Sequence, residues 1–298
     1  MNRRDWTLAL LVVLAWGLNF VVIRWGLDEL PPLLLGALRF LLVAFPAVLL
    51  VPRPKLPLRW LLAYGLTISF GQFALLFSAI ALGMPAGLAS LVLQAQALFT
   101  LLFALLLLGE RWQPQQLLAL LIAAGGMAVL GSQSGAGEMT LIGFLLTLAA
   151  AASWGLGNIV NRHIGQRGEV NLMSLVVWGA LVPPLPFLLM SYWLEGPQLI
   201  ADSLAAMSWQ SGAVLIYLAA IATLFGYGVW AYLLKHNPAS EVAPLTLLVP
   251  VVGLLSAWLL LGEGLNGVQL FGIALVMLGL LVNVFGGRLL RRLKTATV

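Results

Sequence analysis

Two pairs of aromatic and amide residues stand out in an otherwise apolar sequence. Trp16 precedes Asn19 by three residues and Trp154 precedes Asn158 by four, so each pair lies on one face of a helix. An amide both donates and accepts hydrogen bonds, while an indole offers an apolar face and one N–H donor. Such a surface can bind a small zwitterion without reacting with it. The alternative is a structural role in helix packing, and we favour binding.

Further uncharged polar and aromatic residues could complete such a surface. Gln94 and Gln96 are two residues apart and cannot share one narrow helix face, so we expect at most one to face a substrate and favour Gln94. Tyr227 and Trp230 are three residues apart and could form another wall. The predicted substrate-binding residues are therefore Trp16, Asn19, Gln72, Gln94, Trp154, Asn158, Tyr227 and Trp230.

Another group of residues is typical of helix pairing and bending. Arg39 is the one cation clearly inside an apolar segment. It could meet a substrate carboxylate, or pair with Asp28, Glu29 or nearby carbonyl groups, and we favour structural pairing. Proline interrupts helical hydrogen bonding and permits bending, although static kinks are the alternative. We assign a structural or gating role to Arg39, Pro85, Pro238, Pro244 and Pro250.

Residue types that catalysis and metal binding require are scarce. The chain has no cysteine, and its two histidines, His163 and His236, are in no metal-binding spacing. No aspartate or glutamate lies in the middle of an apolar segment. The sequence therefore predicts no catalytic residue, no metal and no cofactor. An integral membrane enzyme acting on a lipid is the alternative class, and it would need a cluster of such residues at one membrane surface.

The composition shows where these residues must lie. Of the 298 residues, 62% are hydrophobic and 8% are charged, against about 45–50% apolar and about 25% charged in soluble domains. This excludes soluble enzymes, nucleic-acid-binding proteins and disordered proteins, and makes the lipid bilayer the expected partner. A spanning helix needs about 20 apolar residues. We predict ten spans, at 6–26, 33–52, 59–81, 85–108, 115–131, 140–162, 172–194, 209–234, 238–261 and 266–286.

The positive charges predict an orientation. If the N-terminus is cytoplasmic, thirteen of the fifteen lysines and arginines lie on the cytoplasmic side, as the positive-inside rule requires. They are Arg3, Arg4, Arg53, Lys55, Arg59, Arg111, Arg162, Arg167, Lys235, Arg288, Arg291, Arg292 and Lys294. An even number of spans with both termini cytoplasmic follows, and residues 288–298 form a basic cytoplasmic tail.

An internal repeat is the most informative pattern. The stretch LLLGE at 106–110 recurs at 259–263, an offset of 153 residues, and Pro85 matches Pro238 at the same offset. Each copy holds five spans, and because five is odd the copies enter the membrane from opposite sides. Inverted repeats with substrate bound at their interface are typical of secondary transporters. Chance similarity of leucine-rich segments is the alternative. We predict two repeats, residues 1–133 and residues 138–287.

Five stretches spread over essentially the whole chain carry a resemblance to a known family: WGLNFVVIRWGL (16–27), GLTISFGQFALLF (65–77), GMPAGLASLVLQAQALFT (83–100), LTLAAAASWG (146–155) and APLTLLVPVVGL (243–254). They resemble the EamA branch of the drug/metabolite transporter superfamily. The resemblance implies an all-α integral membrane protein with ten transmembrane helices in two inverted five-helix repeats.

The same resemblance implies a function. It points to a secondary transporter in the bacterial inner membrane that exports small amino-acid metabolites, of the cysteine and O-acetylserine class, by alternating access. An exporter of another small metabolite is the alternative. Small multidrug cation exporters of this superfamily use a carboxylate in the first span, and this chain has no acid between Trp6 and Gly26. A proton-coupled cation exporter is therefore not expected, and the oligomeric state is left open.

Overall fold

The computed structural model describes residues 1–110, 113–135, 139–166 and 170–296, with side chains described as far as residue 286. Ten helices in this part of the chain are long and apolar enough to cross a membrane. They are α1 (Arg3–Gly26), α2 (Pro32–Leu50), α3 (Leu58–Ala81), α4 (Ala86–Leu108), α5 (Pro114–Gly131), α6 (Leu141–Gly165), α7 (Leu172–Glu195), α8 (Trp209–His236), α9 (Ala239–Leu261) and α10 (Gly267–Gly286). The predicted all-α fold with ten spans is confirmed.

The helix that contains α10 continues to Ala296. The segment predicted as a basic tail, 288–298, is therefore helical as far as the structure describes it. Arg111 and Arg167, two of the cations used to predict the orientation, lie outside the described residues, as do the side chains of Arg288, Arg291, Arg292 and Lys294. A short helix, Pro197–Ala205, fills most of the connection between α7 and α8.

The most extensive helix contacts each join the first five helices to the last five. They pair α5 with α10, α1 with α9, α3 and α4 with α6, α4 with α9, and α2 with α7. Small residues permit this close approach. A Cβ atom on Gly17 would lie 2.4 Å from Val252 Cγ1, and one on Gly155 would lie 2.8 Å from Phe99 Cβ. The two halves therefore form one interdigitated bundle, with no lipid-filled gap between them.

The two halves interrupt their helices at matching places. α3 contains a π-helical segment at Gly65–Gly71, and α8 contains one at Tyr217–Phe225. α4 contains a 3₁₀ turn at Leu93–Ala95, and α9 contains one at Ala243–Leu247. The offset of 153 residues, read from the LLLGE stretches, maps each first-half segment onto its second-half counterpart. π-Helical segments occur frequently at functional sites, so these four interruptions mark where a site is expected.

The four prolines singled out from the sequence do not all bend helices. Pro85 and Pro238 stand immediately before the first residues of α4 and α9, where a proline ends one backbone segment and a new helix begins. Pro244 lies in the 3₁₀ turn of α9 and Pro250 in the first turn of the α-helical part that follows. All four therefore have a structural place in the fold, and their part in gating stays a prediction.

Candidate substrate cavity

A cavity of about 300 Å³ lies between the two halves of the bundle. All eight residues predicted to bind substrate line it: Trp16, Asn19, Gln72, Gln94, Trp154, Asn158, Tyr227 and Trp230. Within the described part of the chain, no aspartate or glutamate lines it, and no group of three or more metal-ligating side chains is present. The structure thus brings the predicted residues together, and their contact with substrate stays a prediction.

Three aromatic side chains form one side of the cavity, which we call the aromatic wall: Trp16, Tyr227 and Trp230. The Trp16 ring centroid lies 5.4 Å from that of Tyr227 and 5.2 Å from that of Trp230. The indole Nε1–H of Trp16 donates to the carbonyl oxygen of Ala222, in the π-helical segment of α8, at 2.9 Å. Because this bond uses the indole donor, Trp16 presents an apolar ring to the cavity.

Amide groups of α4 and α6 form another side of the cavity. Asn158 Nδ2 donates to Gln96 Oε1 at 2.7 Å and to Thr100 Oγ1 at 3.0 Å. Both Gln94 and Gln96 line the cavity, so the expectation that only one faces it is wrong. The reason is the 3₁₀ turn at Leu93–Ala95: residues two apart are about 120° apart around a 3₁₀ turn, compared with about 160° around an α-helix.

Two further amides lie deeper in the cavity wall. Asn19 on α1 is 8% exposed and Gln72 on α3 is 3% exposed. The amide oxygens Asn19 Oδ1 and Gln72 Oε1 are buried and have no hydrogen-bond partner. A buried acceptor without a partner costs about 1–3 kcal/mol. These two oxygens are therefore acceptors that a bound ligand could satisfy.

Arg39 also lines the cavity, which sequence reasoning did not favour. Its Nη2 donates to Thr223 Oγ1 at 3.0 Å, and its guanidinium carbon lies 4.1 Å from the centroid of the Phe73 ring. The predicted pairing with Asp28 or Glu29 is wrong. Asp28 forms an ion pair with an arginine of α1 at 2.6 Å, and Glu29 accepts hydrogen bonds from two serines. Both acids follow the end of α1, whereas Arg39 lies within α2.

Sequence reasoning missed some lining residues. Asn161 and Tyr64 both line the cavity. Asn161 follows Trp154 by seven residues and Asn158 by three, so its position on the same face of α6 was readable from helical spacing. Tyr64 precedes the π-helical segment of α3, and no comparable pattern in the sequence marks it.

At the end of the bundle away from the termini, carboxylates join the two halves. Glu263, just after α9, accepts hydrogen bonds from the backbone N–H groups of Ala86 and Gly87 at 2.7 and 2.8 Å, at the start of α4. Glu195 accepts in the same way from the first turn of α2, and Glu29 binds the start of α8. A carboxylate is favoured there because it meets unpaired N–H groups and the positive end of the helix dipole. We call this the sealed end.

Hydrogen bonding keeps Glu29 charged at the sealed end. Its carboxylate accepts from the backbone N–H of Ser208 at 3.2 Å and from the Ser208 hydroxyl at 2.7 Å. The Ser211 hydroxyl donates to it as well. These bonds, with that from Ser211 contributing most, hold the pKa of Glu29 below its ordinary value, because they stabilise the ionised form. Glu29 is therefore charged at neutral pH and binds α8 as an anion.

The end that carries the termini is arranged differently. Glu110 and Arg162 form an ion pair of 2.5 Å there, and each is roughly half-exposed. By the offsets of the repeat, Glu110 is the counterpart of Glu263 and Arg162 is the counterpart of Arg24. The cavity reaches Leu172, the first residue of α7. The cavity thus extends to the end with the termini and is closed at the other.

Ten spanning helices, two halves repeated at a fixed offset and one polar cavity between them define a multi-pass membrane protein of the secondary-transporter class. Comparison with protein families gives the same result. The EamA-like transporter family matches residues 6–132 and 141–285, and the chain belongs to this family. The two matched segments are the two repeats, which have opposite orientations because each contains five spans. The chain is therefore a transporter and not an enzyme.

Individual relatives agree with this assignment. The chain is 57% identical to the "Probable amino-acid metabolite efflux pump" of Salmonella typhimurium, over 98% of both chains. It is 52% identical to the protein of the same name from Escherichia coli, over 100% of both. It is also 26% identical to the "Probable terminal-alkyne amino-acid exporter" of Streptantibioticus cattleyicolor, over 95% of this chain and 93% of the relative. A crystal structure at 21% identity superposes with a TM-score of 0.63, over 95% of this chain and 96% of that chain, and shows the fold alone.

Proposed function

We propose that this transporter exports small amino-acid metabolites, of the cysteine and O-acetylserine class, from the cytoplasm by alternating access. The observation that carries the proposal is the single cavity lined by aromatic and amide side chains, without a carboxylate among the described residues. Uncharged amides and aromatic rings suit a zwitterion better than an organic cation, which would need a counter-anion. The names of the relatives, which refer to amino-acid metabolites or amino acids, support this substrate class.

The size of the cavity supports a small substrate. A volume of about 300 Å³ corresponds to about ten water molecules in the liquid. It lies at the lower end of the usual range for ligand pockets. Cysteine and O-acetylserine fit such a volume, and a drug-sized molecule does not. In this proposal the aromatic wall contacts the substrate side chain, and the amides of Gln94 and Asn158 bind its polar groups, with Gln72, Asn19 and Trp154 completing the site.

The proposed location is the bacterial inner membrane, with the N- and C-termini in the cytoplasm. The concentration of lysine and arginine at the end with the termini supports it. In this orientation the cavity reaches the cytoplasmic face, and the carboxylate contacts of the sealed end close the periplasmic face. The state described is then the one that takes up substrate for export. The units 1–133 and 138–287 rock about the cavity to expose it to the other side.

Export is the direct test of this function. Cells that overproduce the protein are expected to accumulate severalfold more extracellular cysteine and O-acetylserine than cells with the empty vector. Thiol derivatisation and amino-acid chromatography of the medium measure both solutes. Equal extracellular amounts, with the protein verified in the membrane, would overturn the proposal. Export of some other small metabolite by the same cells would then identify the alternative substrate.

Replacing Trp16 with alanine is expected to weaken substrate binding about tenfold to a hundredfold. The change removes one hydrogen bond and two aromatic contacts, together worth about 1–3 kcal/mol. Asn158→Ala removes both side-chain bonds to α4 and should reduce export similarly. Export at equal membrane level is the measurement. Trp258→Ala is the matched control, because this tryptophan is 59% exposed on the outside of α9. Unimpaired export by Trp16→Ala would assign that residue to packing alone.

A further inference from the structure

Arg39 is a buried cation without a counter-charge. It is 2% exposed within α2, and its Nε and Nη1 atoms have no hydrogen-bond partner. Its contacts are the Thr223 hydroxyl and the faces of aromatic rings, of which Phe73 is nearest. Leaving a charge unpaired in a low-dielectric environment is costly, and such residues inside a membrane mark functional sites. Two free donors on a fixed guanidinium therefore call for an anion.

The described part of the chain does not supply that anion. No described carboxylate lies within ion-pair distance of Arg39, and no acidic residue lines its cavity. Asp28, Glu29 and Glu195, the acids of the adjoining connections, are engaged elsewhere. The anion must therefore come with a ligand that enters the cavity.

Two unsatisfied acceptors line the same cavity as these two unsatisfied donors. Asn19 Oδ1 and Gln72 Oε1 are buried and lack partners, and both residues line the cavity with Arg39. A carboxylate accepts hydrogen bonds from a guanidinium and an ammonium donates to amide oxygens. An α-amino acid carries both groups on one carbon, so a single head group would satisfy donors and acceptors together. A simple inorganic anion would satisfy only the arginine.

We propose that Arg39 binds the α-carboxylate of the exported amino acid, while the amide oxygens of Asn19 and Gln72 accept hydrogen bonds from its α-ammonium group. This assignment rests on the proposed export of amino-acid metabolites. It places the head group on α1, α2 and α3 of the first half. The aromatic wall, supplied largely by α8 of the second half, then faces the substrate side chain. One substrate thereby contacts both units that move against each other.

Binding of cysteine and of two truncated analogues to the purified protein tests this assignment. Cysteamine lacks the carboxylate and 3-mercaptopropionate lacks the ammonium group. Isothermal titration calorimetry of the wild type should show cysteine binding about tenfold to a hundredfold more tightly than either analogue, because each lost charged hydrogen bond is worth that much. Arg39→Gln should lower cysteine affinity to that of cysteamine and leave cysteamine affinity unchanged. Gln72→Met should weaken cysteine and leave 3-mercaptopropionate unchanged.

Controls separate a binding role from a structural one. Arg59→Gln removes an exposed arginine at the start of α3 and should leave all three affinities unchanged. If Arg39→Gln does not fold, Arg39→Lys keeps the charge and should retain the preference for cysteine over cysteamine at reduced affinity. A structural role would weaken cysteine and cysteamine equally in every Arg39 variant, and that result overturns the assignment.

Failure of this assignment is distinguishable from failure of the proposed function. Wild-type protein that binds none of the three compounds would contradict the proposed function. Wild-type protein that prefers cysteine, with the preference intact in Arg39→Gln, would contradict only the role of Arg39. Titrations in chloride and in gluconate complete the test. Stabilisation by chloride that disappears in Arg39→Gln, without any preference for cysteine over cysteamine, would assign an inorganic anion to the arginine and overturn the proposal.

Discussion

Replacing Glu263 with glutamine is expected to open the sealed end of the cavity. The carboxylate accepts two short hydrogen bonds from the start of α4, and a glutamine side chain retains only one acceptor oxygen. The loss of one charged hydrogen bond is worth about 1.5–3 kcal/mol, which shifts a two-state equilibrium about tenfold to a hundredfold. Since the contact joins the two halves, its loss should favour the state in which they separate at this end.

The repeat indicates what replaces this contact in the opposite state. Glu110 is the counterpart of Glu263, and Ala239 and Ser240 are the counterparts of Ala86 and Gly87 at the offset of 153 residues. Exchange of the two arrangements would place Glu110 at the start of α9. Arg24 and Glu263 already line one hollow at the sealed end, so they could then form the ion pair that Arg162 and Glu110 form now.

The absence of cysteine makes this shift measurable. A single Leu76→Cys substitution places one thiol on a buried lining residue of the cavity. A membrane-impermeant maleimide applied from the side away from the termini should label it about tenfold faster when Glu263→Gln is added. Inside-out and right-side-out vesicles distinguish the two sides.

Two variants control the labelling experiment. Glu110→Gln in the same Leu76→Cys protein should instead increase labelling from the side with the termini. Glu241→Gln should change neither rate, because that glutamate is half-exposed and binds the amino group of Met1. Equal labelling of Glu263→Gln and its parent from both sides would show that the Glu263 contact does not hold the sealed end.

The spans and the repeat were predictable from the sequence because both depend on local patterns. Apolar stretches set the ends of the ten helices to within three residues of the observed ones. Glycine, proline and glutamate kept at one offset then revealed the repeat. Gly109 and Gly262, which end α4 and α9 in left-handed conformations with φ of 66° and 70°, occupy matching positions. Backbone geometry at these points follows from residue type, so matching letters predicted matching structure.

Partners across the bundle were not predictable in the same way. Glu263 lies next to α10 in sequence, yet it binds the start of α4, 176 residues away at Gly87. Trp16 donates to the Ala222 carbonyl because a π-helical segment leaves that group within reach. No residue pattern announces a π-helical segment in α8. The lack of a partner for Arg39 was hidden too, since nearby acids in the sequence gave a false pairing.

Replacing Gly126 with leucine is expected to disrupt the contact between α5 and α10. A Cβ atom at this position would lie 2.7 Å from the backbone nitrogen of Val276 and 2.9 Å from the carbonyl oxygen of Gly272. Backbone atoms of a helix cannot rotate aside as a side chain does, so α10 would have to move. Overpacking of this kind costs about 1–3 kcal/mol, and the larger leucine side chain should place the loss at the upper end or beyond.

The neighbouring glycine provides the matched control. Gly125 is exposed, and a Cβ atom there meets nothing within 4 Å, so Gly125→Leu has the same change of residue type on the same helix without the clash. Thermal unfolding in detergent should show a lower midpoint for Gly126→Leu and an unchanged midpoint for Gly125→Leu. Equal midpoints would show that α5 and α10 are free to separate. Gly279→Leu, which meets the Ala123 backbone nitrogen at 2.7 Å, should match Gly126→Leu, because the repeat places both glycines at the one contact that ties the last helices of the two halves together.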